Sequence, residues 1–363
     1  MKKRIDYGFI NKIDRFLHKD TYMIYDEIND LFQEYIHEVK PEQAKLNGHE
    51  HFRKIEIEEK ILSLIEEDER VLLIQDVFGR NIGMRAVEQY LENIVLRVLE
   101  NPLASIQQDL GGDNVGMFSA KFKLKSATLK SLDNYQASVQ QNCDGDNIGM
   151  ICARHGLEEQ TLKALDNEKA SIQQNIYGYN IGMFAAECKL EKATLKALDN
   201  EIASVQTNNK HFNIGIYAVT KEMEEAVLKA LDNEESSTYQ DNWGYNIGMW
   251  AAKYGMENCV IKALDNEEAS LQQDSDGFNI GMHCIREGLV EASLKAIEND
   301  EALEQKSYFC GTYLDLAKKY IIAKDFDNKV IKTLIEKQKE DENQDDFEDD
   351  DTTSVLELTR TLD

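Results

Sequence analysis

Apolar and polar positions follow one another along this chain in a fixed cadence. A compact apolar phrase, N-I-G-M-F-A-A from Asn180, is followed by a polar turn and then by Leu195 and Leu198, three residues apart. A polar stretch rich in Gln, Asn and Asp then leads into the next phrase. The opening Asn stands at Asn81, Asn114, Asn147, Asn180, Asn213, Asn246 and Asn279, every interval being 33 residues. A constant period marks a repeat architecture, in which each unit buries its apolar face only by stacking on its neighbours. The phrase is therefore a building block before it is a site.

Read residue by residue, one unit predicts two helices. Asn180 is a good N-cap for a short helix over residues 181–188, with Met183 and Ala186 on one face. Ala185 and Ala186 have small or medium counterparts in the other copies, such as Cys152 and Ala153 or Ala251 and Ala252, as close helix packing requires. A turn is expected at Lys189, where other copies place Gly156, Gly255 and Gly288. A second helix from Glu191 should bury Leu195 and Leu198. Asn200 and its equivalents should end that helix in the left-handed conformation. The remaining residues, A-S-x-Q-Q-D/N-x-x-G, predict an extended projecting loop or β-hairpin.

The flanks differ. Residues 20–39 form an amphipathic helix with Tyr22, Tyr25, Ile28, Leu31, Phe32, Tyr35, Ile36 and Val39 on one side, ended by Pro41, and suited to cap the stack. I-E-E-K-I-L-S-L-I-E-E-D, from Ile57, reads as an outer helix without its inner partner. The organisation expected is a helical cap region over residues 1–56, a repeat array over 57–337 and an acidic disordered tail over 338–363. In that tail nine of the residues from 340 to 351 are acidic, a like-charge block that should stay solvated. The short apolar run from Val355 to Leu358 reads as frayed chain, with a docking peptide as the alternative.

Charge and composition narrow the function classes. A formal net charge of −27 argues against direct nucleic-acid binding and favours a basic partner on electrostatic grounds. The six cysteines show no C-x-x-C spacing and read as reduced thiols of a cytoplasmic protein. No apolar run reaches the roughly 18 residues of a membrane span, and a monomer is expected. His49-Glu50-His51 is the only local histidine pair, and side chains two apart diverge on a helix. No metal, no cofactor and no catalytic residue is expected, since phosphate-loop, nucleophile-elbow and Cys–His signatures are missing.

The unit G-x-N-I-G-M-x-A-A, in a 33-residue helix-turn-helix frame, resembles the ankyrin repeat, whose phrase is G-x-T-P-L-H-x-A-A. The resemblance covers roughly residues 57–336. It implies an all-α, ankyrin-like helix-turn-helix solenoid of about eight units, Thr312-Tyr313-Leu314-Asp315-Leu316-Ala317 opening the last. A tetratricopeptide array is the alternative fold. Asn in place of Thr and Met in place of His remove that family's Thr–His hydrogen-bond network, for which Asn capping and Met packing should substitute.

The resemblance also implies binding of a protein partner through loop tips and inner-helix groove. Aromatic residues gather on the later tips: Tyr177, Tyr179, Phe212, Trp243, Tyr245, Phe278 and Tyr308, whereas L-G-G-D and C-D-G-D in earlier copies read as polar. Aromatic anchors are enriched at interface hot spots, and loop-on-loop packing is the competing explanation. Lys121, Arg154 and Tyr254 should line the adjacent groove. The function expected is a non-catalytic protein-interaction scaffold. The alternatives are an acidic regulator that occupies a basic, nucleic-acid-binding surface, and an enzyme seated in the first 56 residues.

Overall fold

The computed structural model describes residues 19–39, 48–324, 330, 332–334 and 336–337. Pro41, the acidic block and the Val355 stretch lie outside them. The chain divides into two compact units, residues 1–226 and 227–363, and both are mostly helical. Among the described residues no helix is long and apolar enough to cross a membrane.

Unit one begins with two antiparallel helices, Lys19–Val39 and Gly48–Glu67. Thr21 Oγ1 donates to Asp68 at 2.5 Å at one end, and Arg53 meets Glu38 at 2.7 Å and Glu34 at the other. Between them lie Tyr25, Ile28, Phe32 and Tyr35 against Ile57, Ile61 and Ile65, in one core with Ile82 and Met84 of the first copy. The amphipathic segment thus caps the stack, although Ile36 faces solvent. His49, Glu50 and His51 fall within the second helix, as does the expected boundary at residue 56.

The copies that follow contain three helices each, one more than the sequence pattern predicts. In the copy opened by Asn180 these are an inner helix Ile181–Glu187, an outer helix Glu191–Ala197 and a one-turn helix Glu201–Val205. Asn200 does not end the outer helix in a left-handed conformation. Its φ of −90° and ψ of 109° are extended, and its Oδ1 accepts from the amides of Ile202 and Ala203, so it caps the third helix. The residues expected to form an extended loop or hairpin are therefore helical in their first half. Unit two repeats the plan with Ile247–Lys253, Glu257–Ala263 and Glu267–Leu271. It closes on the hairpin of Lys306–Ser307 with Gly311–Thr312 and on helix Tyr313–Lys324, which packs with Val330 and Leu334.

Close approach governs what each helix buries. Ala185, Ala186, Ala193, Thr194 and Ala197 are sealed, and Leu198 is 8% exposed, but Leu195 is only half-buried. The outer helix lies so near the inner one that only small side chains fit between them, which moves Leu195 to the rim. Gly182 shows the limit: a Cβ there would stand 2.6 Å from the Cβ of Ala197 and would collide with Ile214 of the next copy. In unit two a Cβ on Gly248 would lie 2.6 Å from Ile280 Cδ1. The turn after the inner helix is left-handed in every copy, as expected, yet Tyr90, Lys123, Lys189 and Glu222 hold it at φ of 56° to 61° without being glycine.

Polar side chains join the copies. Asn180 Oδ1 accepts from the Met183 amide at 2.9 Å, and its Nδ2 donates to the Ala203 carbonyl and to Gln206 Oε1, both at 2.9 Å. Gln206 then donates to the Ile172 carbonyl of the preceding copy at 2.7 Å. Asn200 Nδ2 reaches back to Ser171 Oγ at 3.2 Å. The same contacts recur at Asn246 and Gln272 in unit two.

Two outcomes are expected. Asn180→Asp keeps the cap oxygen but sets a carboxylate against two acceptors, so it should cost at least as much stability as Asn180→Ala, for which loss of the cap and an orphaned carbonyl imply about 2–4 kcal/mol. Urea unfolding followed by helical circular dichroism measures both. Lys189→Gly should stabilise by about 0.5–1 kcal/mol, because relief of a left-handed side chain exceeds the entropy glycine adds to the unfolded chain. A lower melting temperature for that variant would show that the lysine makes a compensating contact.

Candidate functional site

The tips are built by one side chain. In unit one, Asn175 Oδ1 accepts from the amides of Tyr177 at 3.0 Å and Tyr179 at 2.9 Å, an Asx-type turn closed by Gly178 at φ +80°. The Ile176 amide donates to the Asp144 carbonyl of the preceding tip at 3.0 Å, and the Asn209 amide to the Tyr177 carbonyl at 3.0 Å. Unit two matches: Asp241 caps Trp243 and Tyr245, Ser275 donates to the Trp243 carbonyl, and Tyr308 to the Asp276 carbonyl. With the backbone engaged in this way, the tip side chains are held outward on a rigid base.

The aromatic residues expected on one edge separate into two rows. Tyr177, Trp243 and Tyr308 are 55%, 54% and 77% exposed at the tips. Tyr179, Phe212, Tyr245 and Phe278, each just before an opening Asn, instead pack on the inner helix. Tyr179 stacks on Phe184 at 4.7 Å and hydrogen-bonds the hydroxyl of Tyr217 at 2.5 Å. Phe212 meets Tyr217 edge-on at 5.6 Å. Tyr245 lies 5.4 Å from Trp250, and Phe278, buried, lies 5.6 Å from His283. Each of these rings is met by the side chain four places after the next Asn, one turn into the inner helix.

Sequence reasoning misses part of the tip row. The first two tips are not polar: Val77, Phe78 and Leu110 are exposed, Val77 at 83%. V-F-G-R precedes Asn81 at the same spacing at which I-Y-G-Y precedes Asn180, and that spacing is the signal that identifies it as a tip.

The groove residues are held from the tips. Lys121 pairs with Asp113, and Arg154 with Asp146, whose carboxylate is buried and also accepts from Asn175 Nδ2 at 2.8 Å. Arg154 also lies 5.2 Å from the Phe184 ring. In unit two Tyr254, 40% exposed, lies 6.1 Å from Trp250, and Lys253 beside it sits over the Trp250 ring at 4.8 Å.

Burial pushes the thiols of Cys152 and Cys284 well above the ordinary cysteine range, which suppresses the reactive thiolate. Among the described residues no group of three His, Cys, Asp or Glu side chains is placed to hold a metal ion. One sealed polar pair is internal to unit two. His283 Nε2 meets Asp274 Oδ2 at 2.9 Å with both side chains sealed from solvent, and His283 Nδ1 has no partner among the described residues. Burial depresses the imidazole below its usual value despite the opposing carboxylate. For Asp274 burial acts to raise the carboxyl, and the hydrogen bonds from His283 and the Phe278 amide outweigh it and lower it.

A pH dependence follows. His283 is neutral when folded and takes a proton near pH 6.5 when unfolded, so its contribution is present above that value and is lost as pH falls below it. Asp274, also depressed, extends the loss below the usual carboxylate range near pH 3.9. Both tryptophans of the chain, Trp243 and Trp250, lie in unit two. Tryptophan-detected melting should therefore fall between pH 7 and pH 5, and His283→Gln, which can still donate to Asp274, should flatten that fall. An unchanged slope in the variant would remove His283 as its source.

No protein-family model matches the sequence and no curated protein matches it, so the functional reading rests on this geometry.

Proposed function

We propose that the chain is a non-catalytic protein-interaction scaffold of the ankyrin type, which holds a protein partner on its tip side chains and on the adjacent ends of its inner helices. The observation that carries this reading is the division of labour at the tips. Asn175 and Asp241 absorb the turn amides, neighbouring tips share backbone hydrogen bonds, and large apolar side chains are left outside. Ile176, Tyr177 and Trp243 contribute little to the core from there, whereas rigid aromatic anchors on a satisfied backbone bind at low entropic cost. The 33-residue period and the close inner–outer packing support the ankyrin-type assignment, from whose helix-turn-helix unit the third, one-turn helix departs.

The packed row and the exposed row provide the test. Tyr177→Ser, Trp243→Ser and Tyr308→Ser combined should change the melting temperature by little, yet abolish capture of cross-linked partners from lysate. Phe278→Ala should instead lose about 3 kcal/mol of stability as a core truncation. Retained capture by the triple variant, with intact helical signal, would refute binding through the tips.

A further inference from the structure

In each copy the residue before the opening Asn and the residue seven places after it belong to the same corner, where the tip meets the end of the inner helix. In three copies of unit one these pairs cancel charge, Arg80 with Glu88, Asp113 with Lys121 and Asp146 with Arg154, whereas Tyr179 and Phe212 already put a ring before the Asn, with Glu187 and Thr220 at the later position. In unit two the ring is combined with a cation. Lys253 Nζ lies 5.4 Å from the Tyr245 ring and 4.8 Å from that of Trp250, and it makes no ion pair among the described residues. Arg286 lies 5.4 Å from the Phe278 ring and pairs through Nε with Glu287 at 3.1 Å.

Lys253 is thus an exposed ammonium whose counter-charge has been replaced by aromatic faces, in a chain of net charge −27. A ring face holds a surface cation by about 0.5–1 kcal/mol, less than the 1.5–3 kcal/mol of a hydrogen bond to a charged group. The rings fix the ammonium in advance and leave the stronger interaction unmade. Exposed apolar surface surrounds it at Tyr254 and, in the same unit, at Trp243, which packs edge-on against Trp250 at 6.3 Å.

We propose that Lys253, seated on Tyr245 and Trp250 and accompanied by Arg286, Tyr254 and Trp243, receives a carboxylate of an acidic protein segment that also carries an apolar side chain. The proposal deepens the scaffold reading and rests on it. It also differs from the partner charge expected from composition: the net charge favours a basic partner, whereas Lys253 offers an exposed cation without a carboxylate partner among the described residues, although Asp241, Asp274 and Glu287 stand on the neighbouring positions of the same corner. Short-range pairing outweighs the distant field once salt screens beyond about 8–10 Å.

The test uses the full-length protein and a fluorescein-labelled twelve-residue probe of Asp and Glu with one central Leu, read by anisotropy at moderate and high salt. The wild-type chain should bind the probe and shift its tryptophan emission, and an Asn/Gln analogue of the probe should bind far less. Lys253→Gln should weaken binding about tenfold or more, and Lys121→Gln, whose lysine already has a carboxylate, should not. If Lys253→Gln melts early, Lys253→Met, which keeps an apolar stem on the rings, replaces it and should show the same loss. The proposal is overturned if the wild-type chain ignores the acidic probe, if the neutral analogue binds as well, or if Lys253 can be replaced without loss. Such a result, with partner capture still dependent on Tyr177, Trp243 and Tyr308, would leave the scaffold reading standing. Capture that survives loss of those tips would remove the scaffold reading first.

Discussion

The structure depends on a buried side-chain amide that must accept on one side and donate on the other. At Asn180 the oxygen caps the inner helix while the nitrogen ties the third helix and Gln206 to it, and the residue is fully sealed from water. Neither Thr nor Asp can do both, since one lacks a second donor and the other has none. Each such hydrogen bond contributes only about 1 kcal/mol net, but leaving a buried partner unmade costs about 1–3 kcal/mol. A copy that does not close on its own Asn therefore cannot present the Gln that grips the copy before it. Closure within a copy and stacking between copies become one cooperative event, which suits an array in which each copy packs on its neighbours.

The same economy explains which positions vary. Where the neighbouring corner presents a carboxylate, the tip-capping residue is Asn: Asn142 donates to Asp113 and Asn175 to Asp146. Where it presents a donor, the capping residue is Asp: Asp241 accepts from the Trp250 indole at 2.8 Å and Asp274 meets His283. The capping oxygen keeps its role throughout, and the other atom matches whatever faces it. Corners can therefore change from charge pairs to aromatic contacts without disturbing the turn. That freedom allows a framework of near-identical copies to present different surfaces in the two units.

The sequence by itself determined the period, the Asn cap of the inner helix, the small-residue face and the left-handed turn after the inner helix. All four are local, set by residues within one helical turn of each other, or are repeated often enough to be read directly. The amphipathic cap helix was legible for the same reason, apart from Ile36. Tertiary structure decided what depends on partners far along the chain. Asn200 reads equally well as the end of one helix or the start of another, and what settles its role is a third helix held by Ser171, 29 residues earlier, and by Asn180. Leu195 and Leu198 share a stripe, but the approach of Ala197 to Gly182 determines which of them is sealed. Tyr177 and Tyr179 are two residues apart and look alike in the chain. The Asx turn at Asn175 sends the first outward and lays the second on Phe184, and no spacing rule encodes that difference, because it arises only when the next inner helix is in place.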